Sequence, residues 1–334
     1  MKIRFISDIH YYLNYETEAT ELLDILNHKE PADVTLIAGD CSACLDEMDS
    51  FLNKWFPNEK VIFINGNHSV YFRPAKPMED IIQEYRDKFN GNWKFLENDY
   101  VWLNDDIAVI GCIGWTDFLI DYETKSQYVK RINKRKEYIR THPKQYFGDD
   151  PDFGGWREVI YTDNLPDDPA LYYEESLLGD KKRHRAFRMR DAQRGMNDYN
   201  YGVVKYRKGI RGMTAMDTYK WHRQSLKAIK RCYNEIIAKN PNATIILMTH
   251  HPFVKNCVSP RYKDSPLNAS FVSNHNNWLK KFPNIKYLHC GHVHQRFFKK
   301  VIGKQLICNP MGYIYYGENK YETPFNINLI LDVY

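Results

Sequence analysis

Five short polar clusters constrain this chain most, because each directly follows an apolar stretch typical of a buried strand. The clusters are Asp8-Ile9-His10, Gly39-Asp40, Gly66-Asn67-His68, His250-His251 and Gly291-His292-Val293-His294. In layered α/β proteins, ligand sites collect where strands end. We therefore expect these clusters, although far apart in the chain, to meet at one edge of a sheet.

The residue types and their spacing predict a shared ligand. Asp8 and His10 are two residues apart, so in an extended segment their side chains share a face, and the same holds for His292 and His294. Carboxylate, imidazole and amide oxygen suit manganese, iron or zinc. The thiolates typical of a structural zinc site are absent from the clusters. The clusters thus predict divalent metal ions, and Asp40 is the candidate for a carboxylate that bridges two of them.

The patterns between the clusters predict a mixed α/β fold. Apolar strand patterns such as Asp33–Ala38 alternate with amphipathic helical patterns such as Glu16–His28, which implies buried strands with helices packed outside. A long helix is expected over Thr214–Ala238 and a last strand over Phe325–Val333.

Residues 115–212 break this alternation, because they are polar and rich in Tyr, with Pro and Gly clusters around 148–156 and 164–169. We interpret them as an insertion or cap within a single domain that spans residues 1–334. The part from Phe118 to Gly212 carries 20 Lys and Arg against 15 Asp and Glu, a difference equal to the whole net charge of +5. This placement of positive charge matters if the substrate is an anion.

Composition narrows the expected location. No stretch approaches the roughly 20 apolar residues that a membrane helix needs, so a membrane partner is not expected. The apolar run at the N-terminus is too short for a signal peptide. Seven cysteines, scattered singly except for Cys41 and Cys44, indicate reduced thiols and predict a cytoplasmic protein.

Taken as a set, the clusters resemble the signature of the calcineurin-like metallophosphoesterase superfamily, a series of DxH, GD, GNH, H and GHxH in that order. The resemblance implies a four-layer α/β/β/α sandwich, in which two mixed β-sheets are flanked by helices. Gly114–Phe118, Met196–Tyr199 and Asn309–Tyr313 also look like segments of a bacterial and phage branch of predicted phosphohydrolases. With these segments the resemblance covers nearly the whole chain.

The resemblance also implies a role for each matched residue. It implies a binuclear centre of two divalent ions (manganese, iron or zinc), of which manganese is expected to support activity best. Its expected ligands are Asp8, His10 and His294 for the first ion, Asn67, His250 and His292 for the second, and Asp40 as the bridge. His68 would face the substrate and assist the leaving group, while a hydroxide on the metals attacks phosphorus.

The implied activity is hydrolysis of a phosphoester, either a monoester or a diester. We favour a phosphodiesterase that acts on a small nucleotide-like ester, because a leaving-group acid helps most when the leaving alkoxide is poor. One alternative is a nuclease or an end-processing phosphatase that uses the basic central segment to bind nucleic acid. The other is a non-catalytic interaction module stabilised by its metals. The sequence does not indicate an oligomeric state.

Residues 181–190 form the most basic run of the chain. This run is either a solvated helix face or a cap that gathers phosphate over the metals. The second interpretation gives four candidate substrate-binding residues: Arg183, Arg185, Arg188 and Arg190. His251 neighbours an expected ligand and is a further candidate, with a structural role as the alternative. His222, in the predicted long helix, is expected to be structural or to face solvent.

Overall fold

The computed structural model describes most of the chain. The described residues are 1–71, 76–124, 126–127, 129–130, 133–134, 137, 179–206, 209–259, 262, 265, 267–320 and 323–334. The Pro and Gly clusters predicted around 148–156 and 164–169 lie outside them. The chain divides into two compact units, one made of Met1–Ile120 and Arg188–Tyr334 and the other of Asp121–Phe187. The cap predicted at 115–212 therefore stays a prediction.

Short runs of β-branched and aromatic residues form the first sheet. Its strands are β1 (Lys2–Ile6), β2 (Val34–Ala38), β3 (Lys60–Ile64), β4 (Trp93–Phe95) and β13 (Ile330–Asp332), in the order β13-β1-β2-β3-β4. The first four strands are parallel and β13 pairs antiparallel with β1. Three helices fall between them in the chain: α1 (Tyr11–Asn27), α2 (Leu45–Trp55) and α3 (Met78–Lys88).

The second sheet is also mixed. Its strands are β5 (Asp99–Trp102), β6 (Ile107–Cys112), β9 (Thr244–Thr249), β10 (Ile285–Cys290), β11 (Phe297–Val301) and β12 (Lys304–Cys308), in the order β11-β12-β10-β9-β6-β5. The inner four strands are parallel, and the two edge strands are antiparallel to their neighbours. The remaining described α-helices and strands are α4 (Lys181–Gly195), α5 (Asp198–Tyr201), the hairpin β7 (Val203–Tyr206) and β8 (Gly209–Gly212), α6 (Ala215–Lys239), α7 (Asn268–Phe271) and α8 (Asn276–Leu279).

Three apolar clusters stack these elements in four layers. The middle cluster joins the facing sides of the two sheets, for example Phe5 of β1 and Ile246 of β9. A second cluster packs the outer face of the first sheet against α1, α2 and α3, and a third packs the outer face of the second sheet against α6. The predicted arrangement of two mixed sheets flanked by helices is confirmed. Its parallel inner strands direct their carboxyl ends toward one edge.

Local sequence explains where the C-terminal elements begin and end. The predicted long helix is α6, which starts after a capping box in which Thr214 and Asp217 satisfy each other's backbone N–H groups. The predicted last strand is shorter, because the side chains of Asn309 and Asn326 accept hydrogen bonds from the backbone of Asn326 and Asn328. In the described part of the chain, no helix combines the length and the apolar character needed to cross a membrane.

Candidate metal centre and active site

The structure brings the five polar clusters together at the carboxyl ends of the inner strands. Asp8, Asp40 and Asn67 follow β1, β2 and β3 of the first sheet, while His250 and His292 follow β9 and β10 of the second. Nine described non-glycine residues have a positive φ, and five of them belong to the predicted ligand set: Asp8, His10, Asp40, His292 and His294. Backbone conformations of this kind cost free energy and cluster at functional sites.

The first group of ligand atoms belongs to Asp8, His10 and His294. The Nε2 atoms of His10 and His294 lie 3.0 Å apart, and the Oδ1 atom of Asp8 lies 3.5 Å from the Nε2 atom of His294. On the far side of the ring, the Nδ1 atom of His294 lies 2.6 Å from the Oε2 atom of Glu318. Glu318 thereby fixes the orientation of the ring and leaves Nε2 directed at the group.

The second group belongs to Asp40, His250 and His292. The Nε2 atom of His250 lies 3.1 Å from the Oδ2 atom of Asp40 and 3.0 Å from the Oδ1 atom of Asn67. On the other side of this ring, Nδ1 lies 2.9 Å from the carbonyl oxygen of Ala38. His250 is thus oriented by the backbone of the opposite sheet, as metal-bound histidines commonly are.

Asp40 lies between the two groups. Besides His250 and His292, it forms a further cluster of ligand atoms with His10 and His68. Its Oδ1 atom accepts a hydrogen bond of 3.0 Å from the backbone N–H of His68. Gly66 makes this close packing possible, because a Cβ atom there would lie 2.1 Å from the Oδ1 atom of Asp40. Asp40 thus contributes ligand atoms to two of the groups.

Burial and the neighbouring charges shift the pKa values of the four expected histidine ligands in two different directions. Burial, followed by the neighbouring imidazoles, keeps the pKa values of His10 and His292 well below the usual range of histidine, so both rings are neutral near pH 7. Burial disfavours the charged form of Asp40, yet the imidazoles of His250 and His68 hold its pKa well below the usual range. Burial opposes the charged form of His250 and His294 as well, yet Asp40 raises the pKa of His250 to about 9, and Asp8 and Glu318 raise that of His294 to about 10. Near pH 7 the site therefore offers an ionised carboxylate and two neutral imidazoles, and a bound cation would displace the protons of the other two rings.

Two buried atoms test whether the residues fit metal ions. The Oδ2 atom of Asp8 and the Nε2 atom of His292 are buried and have no hydrogen-bond partner within the described residues. Leaving such groups unsatisfied costs roughly 1–3 kcal/mol each, and more for a charged group. Cations at the two groups would satisfy both atoms, so the donor set fits divalent ions.

Hydrogen bonds behind the expected ligands hold them in place. The Nδ2 atom of Asn67 donates to the Oδ1 atom of Asp198 at 2.9 Å, which turns the amide oxygen of Asn67 toward His250. The Tyr71 hydroxyl donates to the same Asp198 oxygen at 2.8 Å. The Tyr313 hydroxyl lies 3.0 Å from the Nε2 atom of His68. The sequence assigned no role to Glu318, Tyr71 or Tyr313. Of these three residues, Tyr313 falls in a segment that carries the family resemblance, as does Asp198.

A cavity of about 470 Å³ opens beside the clustered ligands. Asp40, Asn67, His68, His292 and His294 form part of its lining. The lining also includes the apolar side chains of Met196, Leu267, Phe271 and Val272. A cavity of this volume accommodates a small molecule. His68 therefore faces a space in which a substrate can meet the expected ligands.

Three of the other candidate residues belong to the same compact unit as the cavity but do not line it: His251, Arg188 and Arg190. His251 is buried, its ring centroid lies 4.0 Å from that of His292, and it is not part of the cavity lining. Arg188 and Arg190 lie in α4 and do not line the cavity either, and Arg188 pairs with Asp191 at 3.1 Å. Arg183 and Arg185 belong to the other compact unit. Substrate binding by these five residues stays a prediction.

Two facing mixed sheets with a histidine and carboxylate cluster at their shared edge define the metallophosphoesterase fold class. The model of the calcineurin-like phosphoesterase family matches residues 1–180. The chain belongs to this family, as the motif resemblance predicted.

Individual proteins resemble this chain in two ways: two relatives are similar in sequence over a short part, and one solved structure has a similar fold over nearly the whole chain. The 3',5'-cyclic adenosine monophosphate phosphodiesterase of Escherichia coli strain K12 is 37% identical over 67 residues, which are 20% of this chain and 23% of that protein, and its counterpart in strain O157:H7 matches equally. This chain thus matches about a quarter of the length of these relatives. The crystal structure of a phosphopantetheinyl hydrolase from Mycobacterium tuberculosis aligns over 99% of this chain and 95% of its own, with a TM-score of 0.59 and 13% identity.

Proposed function

We propose that this chain is a binuclear metal-dependent phosphoesterase, and that its substrate is a small nucleotide-like phosphodiester. One observation carries the proposal: the ligand atoms of the predicted residues surround a common site in which Asp40 belongs to more than one group. Membership of the calcineurin-like phosphoesterase family supports the same activity.

Two divalent ions fit this donor set, and manganese is our first choice because carboxylate, imidazole and amide oxygen all suit it. Asp8, His10 and His294 would hold one ion, Asn67, His250 and His292 the other, and Asp40 would contact both. When bound, such a pair polarises the phosphoryl oxygens and activates water as the nucleophile.

His68 is placed to handle the proton of the leaving group. Its side chain lines the cavity, and its Nε2 atom lies 3.0 Å from the Tyr313 hydroxyl and 4.0 Å from the Oδ2 atom of Asp40. Burial raises the pKa of Tyr313, so this hydroxyl keeps its proton and holds the ring of His68 in position. As water attacks phosphorus, the bond to the leaving oxygen breaks. Burial lowers the pKa of His68, so the neutral ring would take up the proton that the water loses and pass it to that oxygen.

The cavity favours a small ester over a polymer. Its volume of about 470 Å³ and its apolar wall of Met196, Leu267 and Phe271 fit a substrate with one flat organic group beside the phosphate. The relatives from Escherichia coli act, by their names, on 3',5'-cyclic adenosine monophosphate, a ligand of this size. A cytoplasmic location, proposed from the scattered cysteines, suits such a substrate.

The proposal is tested by hydrolysis of phosphomonoesters, linear phosphodiesters, cyclic nucleotides and short oligonucleotides, each with Mn²⁺ and with chelator. We expect turnover of small diesters that requires metal and changes little between low and high salt. Preference for oligonucleotides with a steep fall in affinity as salt rises would favour the nuclease alternative instead.

Substituting His68 separates an enzyme from a module that uses metals only for stability. His68→Ala is expected to lower kcat about 10²- to 10⁴-fold, the contribution of a positioned proton donor, while the bound Mn²⁺ content is unchanged. The matched control is His28→Ala, because the His28 side chain is 72% exposed. Absence of turnover in the folded, Mn²⁺-loaded wild-type protein across the whole panel would contradict the proposal.

A further inference from the structure

A separate group of possible metal-ligand atoms shares no residue with the candidate active site. It comprises Asp117 in the loop after β6, His222 in α6 and His275 directly before α8, and their ligand atoms lie within 4.8 Å of one another. None of the three residues lines the cavity beside His68. We propose that these three side chains bind a zinc ion, with a water molecule as the fourth ligand.

The imidazole rings of His222 and His275 approach each other as those of His10 and His294 do in the candidate metal centre. The Nε2 atoms of His222 and His275 lie 2.9 Å apart, close to the 3.0 Å that separates those of His10 and His294. In both pairs a carboxylate approaches one of the nitrogens: the Oδ2 atom of Asp117 lies 3.9 Å from the Nε2 atom of His275. A hydrogen bond between the two rings accounts for their approach, and the Oδ1 atom of Asp117 accepts one from the backbone N–H of Leu119 at 3.0 Å. A cation would be held by the carboxylate and both imidazole nitrogens together.

The far side of His222 shows the contacts that orient a metal ligand. Its Nδ1 atom lies 2.8 Å from the carbonyl oxygen of Gly114 and 3.2 Å from that of Trp115. Nδ1–H therefore donates to the backbone, and the lone pair of a neutral ring lies on Nε2. Burial, followed by the proximity of His275, lowers the pKa of His222 to about 4, so the ring is neutral near pH 7.

The loop that presents Asp117 is held in an unusual conformation. Its neighbours Trp115 and Phe118 have φ angles of 47° and 56°, which are rare for bulky residues. The backbone N–H of Asp117 donates to the Ser273 hydroxyl at 3.1 Å, which ties this loop to the segment that contains His275. Positive φ angles persist where surrounding structure over-determines them, and such places are frequently ligand sites.

The donor set and its exposure suit zinc. Two imidazole nitrogens and one carboxylate oxygen are ligands that Zn²⁺ commonly takes in proteins, with water completing the tetrahedron. The side chains of Asp117 and His275 are 15% and 14% exposed, so the group is in contact with solvent. The bound ion would join the loop after β6, helix α6 and the start of α8.

Zinc content measured by elemental mass spectrometry tests the site. After zinc loading and desalting, the wild-type protein is expected to retain one more ion per chain than either His275→Ala or Asp117→Asn. The control His28→Ala removes an exposed histidine and should retain the wild-type amount. Equal zinc content in all four folded proteins would overturn the proposal, as would an equal loss in His28→Ala.

A measurement on the wild-type protein covers the case in which a variant folds poorly. Histidines are modified with diethyl pyrocarbonate with and without zinc, and each site is quantified by peptide mapping. At about ten times the dissociation constant, zinc should lower the labelling of His275 about ten-fold and leave His28 unchanged. Equal labelling of His275 in both conditions would overturn the proposal. Both tests resolve this site separately from the active site, so they do not depend on catalysis.

Discussion

Gly66→Ala would place one methyl group against the carboxylate that both sets of expected metal ligands share. The new Cβ atom would lie 2.1 Å from the Oδ1 atom of Asp40 and 2.8 Å from its backbone nitrogen. Gly66 does not have a positive φ, so alanine causes no backbone strain there and the effect comes from the contact alone.

The size of the effect follows from how far Asp40 has to move. An ordinary contact begins at 3.4 Å, so the carboxylate must retreat by about 1.3 Å. Asp40 is 3% exposed, and its oxygens are engaged by the N–H of His68 and the ring of His250. A displacement of about 1 Å in a catalytic site costs on the order of 10² in rate. Loss of a hydrogen bond to a charged group costs a further 1.5–3 kcal/mol or so of stability.

The assay combines Mn²⁺ titration calorimetry with the turnover of a small phosphodiester. We expect Gly66→Ala to bind Mn²⁺ more weakly and to turn over about 100-fold more slowly. The matched control is Gly91→Ala, because a Cβ atom at Gly91 would meet no atom within 4 Å. If folded Gly66→Ala keeps the affinity and turnover of Gly91→Ala, Asp40 is not the shared ligand and the reasoning fails.

Two further predictions concern groups outside the ligand set. Asp198→Ala removes the acceptor that orients the Asn67 amide, so calorimetry should show Mn²⁺ affinity lowered 10- to 100-fold. The control Asp24→Ala changes an exposed carboxylate and should keep the wild-type affinity. Equal affinities in the two variants would refute the role of Asp198. Glu97 is buried, and burial raises its pKa to about 7, although the N–H of Ile113 opposes the shift. Between pH 4.5 and 7 the unfolded chain therefore loses this proton while the folded protein retains it, which lowers stability by about 3 kcal/mol as pH rises. The side chain of the Glu97→Gln variant cannot ionise. Urea unfolding should therefore show its free energy of unfolding rising by about this much relative to that of the wild type from pH 4.5 to 7. A difference in free energy that stays constant with pH would contradict the prediction.

The parts of the site that sequence could predict share one physical property. Asp8, Asp40 and Asn67 each stand at the end of a strand whose apolar pattern is visible locally, and parallel strands bring their carboxyl ends to one edge. Topology then makes the convergence almost unavoidable once the strands are identified. The mixed α/β class was predictable for the same reason, because strand and helix periodicities are local signals, whereas the four-layer arrangement was implied by the family resemblance.

The contacts behind the ligands carry no such signal. Glu318 meets His294 across 24 residues of chain, and Tyr313 meets His68 across 245. Neither follows a strand that marks it, since Glu318 lies in a 3₁₀ turn and Tyr313 in the loop that precedes one. Their partners are decided by how the loops after the last inner strand pack over the sheet edge, which is a tertiary property.

The ligands of the proposed zinc site could not be predicted from sequence either. His222 lies on a helix where its neighbours explain its burial as core packing, and His275 lies in a polar loop with no periodicity. Only the packing of α6 over the second sheet brings the two nitrogens within 2.9 Å. A sequence rule that looks for ligands two to four residues apart selects clusters that one element presents on one face. Such a rule therefore finds the candidate active site, whose ligands follow strand ends. It misses Asp117, His222 and His275, because each of them belongs to a different kind of element.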